Sequence, residues 1–338
     1  MVAKQAAPYM AVVVVVMVVT LVDTCVLAIP VSRQVSLRKV REVNREGPYI
    51  GLITVYPPEE KAFFATNAFQ PHPSYPFIDL SGRRFRVGKI QDKSVIYMRC
   101  GVGTRNAATA TQQMLDLFDI SGIIHFGIAG NTNNSLSIGD VTIHKQFAQT
   151  GIWDWLKPNG TLYENDVAHL DIGNYNVPNG QGMNLLGRIG FSPEQFYSES
   201  GQPNTPERII WANVSRHWLH SAAKLEGMEL ERCLNSSLCL PSEPKLVIGL
   251  RGSTADIFLD NAAYREFLAK TFSVSSVDME SAAVVMTSLS NGFPVIVIRG
   301  LSDLAGGQVG HNSIDALGPI AALNTAKVAV QFVKILPN

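Results

Sequence analysis

The feature that most constrains this chain is a repeated pattern: short apolar runs that stop at an acid or a glycine turn, alternating with helix-patterned segments. "YIGLITVY" (49–56), "SVIYMRC" (94–100) and "GIIHFGIAG" (122–130) are rich in β-branched residues and read as strands. "GTRNAATATQQMLDLF", between the last two, reads as a helix and completes a βαβ unit. The alternation resumes in "LSIGDVTIHKQFAQ", "IIWANVSRHWLHSAAKLEG", "KLVIGLR", "SVDME", "SAAVVMTSLS" and "PVIVIRGLSD", and closes with the helix "GPIAALNTAKVAVQFVKIL". Parallel strands need crossover helices, so this order predicts a single-domain α/β fold with a central, mostly parallel mixed sheet flanked by helices. The stretch 157–207 is rich in Gly, Pro and Asn and has weak periodicity; it is expected to be a loop-rich insertion within a domain over 48–338.

Ahead of that domain, Lys4 precedes an apolar run from Met10 to Val22, followed by small residues near Ala28 and then Pro30. The run is shorter than the ~20 residues that cross a bilayer, and Asp23 interrupts it, so residues 1–29 are expected to be a cleaved secretory signal. The alternative is an uncleaved anchor whose span continues to Ile29. A secretory route implies an extracellular or vacuolar location, and Asn133, Asn159, Asn213 and Asn235 each begin an N-x-S/T sequon. Of the cysteines, Cys25 leaves with the signal, Cys233 and Cys239 are close enough for a local disulfide, and Cys100 is expected to be a buried thiol. Lys plus Arg equals Asp plus Glu at 28 each, which gives no basic excess for nucleic acid and leaves a small molecule or another subunit as the partner.

In α/β folds ligands sit outside the carboxyl ends of the strands. That rule selects Glu59 after "GLITVY", the turn "GVGTRN" after "YMRC", "GIAG" after "IIHF", Glu280 after "SVDM" and Asp303 after "VIVIRGLS". Only 17% of the residues are charged, so acids at three strand ends stand out.

Together "GLITVYPPEE", "GVGTRNAA", "GIAGN", "VDMES" and "RGLSD" resemble the nucleoside phosphorylase superfamily, in the branch of methylthioadenosine/adenosylhomocysteine nucleosidases and plant bark-storage-type proteins. The resemblance runs from about Gly51 to the C-terminus, outside much of 157–207. A secreted member with an insertion looks most like the vegetative-storage and cytokinin-riboside phosphorylase subgroup. The resemblance implies cleavage of the N-ribosidic bond of purine-type nucleosides. Breaking that bond develops positive charge on the sugar and negative charge on the base, so carboxyl groups are needed at both ends.

By resemblance Asp303 is the acid that protonates or hydrogen-bonds the leaving base, with Ser302 beside it; a helix cap is the bland alternative. Glu280 would accept the ribose hydroxyls, with Met279 under the sugar, and Asp278 is better explained as an acid at a helix start. Phe258 matches the family aromatic that stacks on the base, and a core phenylalanine is the alternative. Glu59 stands where the nucleosidases carry the Glu that activates water, although its neighbour Glu60 also fits a solvated charge run. For phosphate, "IHFGIAG" offers His125 and the helix start offers Gly103 and Arg105; a strand-end histidine and a surface arginine are the alternatives. The subgroup resemblance favours phosphorolysis to free base and ribose 1-phosphate, with inorganic phosphate as co-substrate and no other cofactor or metal. Hydrolysis, or a storage glycoprotein without activity, are the competing expectations. A homo-oligomer and no stable membrane anchor are also implied.

Overall fold

The computed structural model describes residues 30–156, 168–171, 188–307 and 312–337. The expected signal (1–29) and, within the expected insertion, 157–167 and 172–187 lie outside the described residues. Eleven strands build the main sheet: β1 (Tyr49–Thr54), β2 (Phe69–Pro71), β3 (Phe77–Leu80), β4 (Arg83–Ile90), β5 (Lys93–Arg99), β6 (Ile120–Asn131), β7 (Val141–Gln149), β8 (Trp211–Asn213), β9 (Leu246–Thr254), β10 (Ser276–Asp278) and β11 (Val295–Asp303). The helices are α1 (Val31–Val43), α2 (Pro57–Ala65), α3 (Thr104–Leu117), α4 (Arg216–Ala222), α5 (Ala262–Phe272), α6 (Ser281–Ser290) and α7 (Ile314–Ile335).

Strands β5, β1, β6 and β11 run parallel side by side, and β7, β9 and β10 form a second parallel set. Antiparallel pairings join the two sets, β10 to β6 and β11 to β7, so β6, β11, β7, β9 and β10 close into a ring. The edge beyond β5 is an antiparallel meander of β4 with β2 and β3.

Successive side chains of a strand point to opposite faces, and here the two faces feed two cores. Ile53, Ile123 and Val297 pack with Met114 of α3 and Val285 of α6, whereas Leu52, Ile124 and Ile298 pack with Phe63 of α2 and Phe332 of α7. Burial on both faces explains why these strands read as continuous apolar runs rather than as alternating ones. Helix α7 is long and apolar enough to cross a membrane by composition, but two-thirds of its apolar window is buried in this core. Upstream of position 48, where the domain is expected to begin, α1 seats Val40 and Val43 in the other core, the one that holds Ile53, Ile123 and Met114. Cys233 and Cys239 form a disulfide across an exposed hairpin, and Cys100 is a buried free thiol.

Candidate active site

A cavity of about 230 Å³ opens at the carboxyl ends of β1, β6, β10 and β11, the place the strand rule selects. It is lined by Glu59, Asp278, Met279, Glu280, Ser302 and Asp303, with apolar walls that include Tyr56, Ile128, Ile257 and Phe258. The sequence candidates for base, sugar and water activation therefore share one chamber.

Glu59 is fixed by the local start of α2. Two prolines fill the first helical positions, where a missing N–H costs nothing, and Glu59 follows at the third. Its Oε2 accepts the Val55 and Tyr56 N–H groups at 2.7 and 3.3 Å, and its Oε1 accepts the Ile128 N–H at 2.8 Å. It is 3% exposed, so it does not belong to a solvated charge run with Glu60. Burial pushes its carboxyl above the usual range, against the pull of Arg299 and the three N–H donors. Gly127 makes this approach possible: a Cβ there would collide with the Glu59 carboxylate and lie 2.7 Å from an Arg299 nitrogen.

Asp303 ends β11 at a bulge, where Leu301 pairs with Ala129 but Asp303 pairs with Gly130. In a regular strand Ser302 and Asp303 would face opposite ways; the bulge re-aims them so that both line the cavity. Asp303 Oδ1 accepts the Ser302 hydroxyl at 2.8 Å, and Oδ2 accepts the Ala305 N–H at 2.9 Å and the Asn312 amide at 3.1 Å. Oδ1 is thus the oxygen with more capacity left for a ligand. Asp303 caps no helix, since α7 begins at Ile314.

Glu280 stands at the start of α6 and is 4% exposed. Its Oε1 accepts the Gly103 N–H at 2.9 Å and its Oε2 lies 3.6 Å from Arg299. Burial pushes its carboxyl up to about 7, with Arg299 and the Gly103 N–H pulling the other way. Phe258 is 58% exposed at the cavity mouth, which rules out a core role.

Two residues need correction or addition. Asp278 does bind the first turn of α6, accepting the Glu280 and Ser281 N–H groups at 3.0 and 2.9 Å, but it also lines the cavity. Arg299 was given no role from sequence, yet it is fully buried behind the acids. Its Nε donates to Asp278 at 3.1 Å and to the Ser281 hydroxyl at 3.0 Å, and its other nitrogens reach the Ile128 carbonyl and His125. A charged residue inside the apolar run "VIVIRGLSD" was the available signal.

None of the three phosphate candidates, Gly103, Arg105 and His125, is among the residues that line the cavity. His125 is fully buried, its Nδ1 on the Ile53 carbonyl and its Nε2 2.6 Å from Arg299; burial and that guanidinium hold its ring down to about 3, so it is neutral. The Gly103 N–H is taken by Glu280. Arg105 is exposed and is not among the lining residues.

Comparisons with known proteins agree with this architecture. The family model described as the phosphorylase superfamily matches residues 49–334. Bark storage protein B of Populus deltoides is 32% identical over 315 residues, covering 91% of this chain and 97% of that protein. A 5'-methylthioadenosine/S-adenosylhomocysteine nucleosidase of Bacillus pumilus is 25% identical over 258 residues, 76% of this chain and 87% of its own. In fold, the chain is similar to the crystal structure of 5'-methylthioadenosine/S-adenosylhomocysteine nucleosidase from Helicobacter pylori with butyl-thio-DADMe-Immucillin-A. The TM-score is 0.59 at 20% identity, covering 85% of this chain and 98% of that one.

Proposed function

The chain belongs to the phosphorylase superfamily, and from that premise we propose that it cleaves the N-ribosidic bond of a purine-type nucleoside by hydrolysis, giving free base and ribose. One observation carries the choice of water over phosphate. Four acidic residues, Glu59, Asp278, Glu280 and Asp303, line the cavity, and among the described residues no Lys, Arg or His lines it. A divalent anion entering there meets like charge, and like charges in a desolvated site repel strongly. Arg299, the cation behind the acids, is fully buried and engaged by Asp278, Ser281 and His125. Water needs only a base.

In this reading Glu59, whose proton affinity burial has raised, takes a proton from the water that attacks the anomeric carbon. The bond from that carbon to the base nitrogen breaks, and the electron pair leaves with the base. Asp303 supplies the proton or hydrogen bond to the purine ring nitrogen, steadied by Ser302 and Asn312. Glu280, ionised, accepts the ribose hydroxyls and stabilises the positive charge on the sugar. The apolar walls, with Phe258 at the mouth, offer the base a stacking surface.

Product analysis with adenosine, inosine, methylthioadenosine and a cytokinin riboside, with and without phosphate, tests this. Free sugar, ribose or, from methylthioadenosine, methylthioribose, formed at the same rate in both conditions, lost in Glu59→Gln and unchanged in Arg105→Ala, is expected. Ribose 1-phosphate formed only with phosphate would restore phosphorolysis. The match to bark storage protein B along 91% of the chain favours a second reading, a storage glycoprotein of the secretory pathway; absence of turnover on all four nucleosides would favour it.

A further inference from the structure

Asp256 does not line the cavity, yet it joins two of its walls. It lies in the turn after β9, next to Ile257 and Phe258 of the apolar wall, and reaches the start of α3, 152 residues away in sequence. Its Oδ1 accepts the Thr104 N–H at 2.7 Å and its Oδ2 accepts the Thr104 hydroxyl at 2.8 Å. One residue back, the Gly103 N–H donates to Glu280. Gly103 holds φ at +96°, and a Cβ there would sit 3.1 Å from Asp256, so the turn is pressed between two carboxyl groups. Helix α3 has no side-chain cap at its own N-cap position and no acid in its first turn; Asp256 supplies both from across the fold.

We propose that Asp256 is a positioning residue for Glu280: by gripping Thr104 through two bonds it fixes the Gly103 N–H that holds Glu280, and it ties that grip to the Ile257–Phe258 wall. The consequence for catalysis rests on the reading of Glu280 as the ribose-binding group; the positioning is a property of the fold. A base that displaces the Ile257–Phe258 turn draws on the same bonds that aim Glu280, which couples the base half of the site to the sugar half.

The groups facing Glu280 are Arg299 of β11, Asp278 of β10, Glu59 of α2, Cys100 beyond β5 and the Gly103 N–H. Of these Asp256 acts on the last, which favours the ionised carboxylate.

The test needs no substrate. With glutamate labelled by ¹³C at the side-chain carboxyl, the resonance missing in Glu280→Gln reports the titration of Glu280. Asp256→Ala should raise its midpoint by about half a pH unit or more, because an ionised group that loses an N–H donor is less favoured. Asp256→Asn, whose side-chain oxygen still accepts the Thr104 N–H, should leave the midpoint near that of the unaltered protein. No movement in Asp256→Ala, or an equal rise in Asp256→Asn, would overturn the proposal. Failure of the protein to cleave any nucleoside would sink the hydrolase reading, while the titration would still decide the role of Asp256.

Discussion

Arg299 donates to Asp278 at 3.1 Å with both side chains sealed from solvent, and this pair underlies the acids that face the cavity. The guanidinium fork also meets Ser281, the Ile128 carbonyl and His125, so that its donors are satisfied where no water reaches. Arg299→Met removes one member of a buried pair and leaves Asp278 uncompensated. The expected loss is about 3–5 kcal/mol of stability, read by urea denaturation. Arg299→Lys keeps the charge but not the fork, and should fall between the two. A methionine variant as stable as the unaltered chain would show that the pair is dispensable.

Replacing Asp303 by Asn removes the proton donor to the leaving base while keeping the size of the side chain. Turnover should fall ~100-fold or more. The dissociation constant of a bound product base, measured by calorimetry, should change much less. Near-normal turnover would take Asp303 out of the mechanism.

Glu280 sets a pH limb. Burial raises its carboxyl to about 7, and the ribose hydroxyls need the ionised form, so kcat/KM should fall as pH drops below about 7. Glu280→Gln should lose that limb and weaken ribosides more than the free base. The linkage sign is the reverse of the catalytic one: the folded state holds a proton that the unfolded chain has released, so this group's contribution to stability is lost as pH rises from its unfolded range through about 7. The stability of Glu280→Gln relative to the unaltered protein should therefore improve between pH 5 and 8 in denaturant melts. A constant difference would argue against the raised value.

Acid should destabilise the protein partly through its buried histidines. His144 is fully buried against the Ser276 hydroxyl at 2.8 Å, and burial holds its ring down to about 3, as it does for His125. A group depressed on folding contributes stability above its unfolded value of about 6.5, and that contribution is lost as pH falls toward 3. His144→Gln should lose less stability than the unaltered chain between pH 7 and 4. Parallel loss in both would assign the acid sensitivity to the carboxylates alone.

The local pattern determined a great deal. Strand and helix order, the parallel core and the position of Glu59, Glu280 and Asp303 follow from apolar runs that end in acids, because in a βαβ chain those ends gather on one rim. The Cys233–Cys239 pairing was equally readable, since both ends of that loop are near each other in sequence. What the sequence could not assign were the partners. Asp278 and Glu280 are two residues apart in "SVDME", and Asp278 read as an acid at a helix start; only the docking of β11 brings a buried arginine against both, at 3.1 Å from Asp278 and 3.6 Å from Glu280. His125 read as an anion ligand until the same arginine covered it and left its ring neutral. Periodicity tells which face a side chain takes, but its charge state depends on groups a few ångströms away that arrive from distant parts of the chain, and on the water they exclude. Tertiary structure alone decides both, and here it gathers four acidic residues around the cavity and, among the described residues, no Lys, Arg or His.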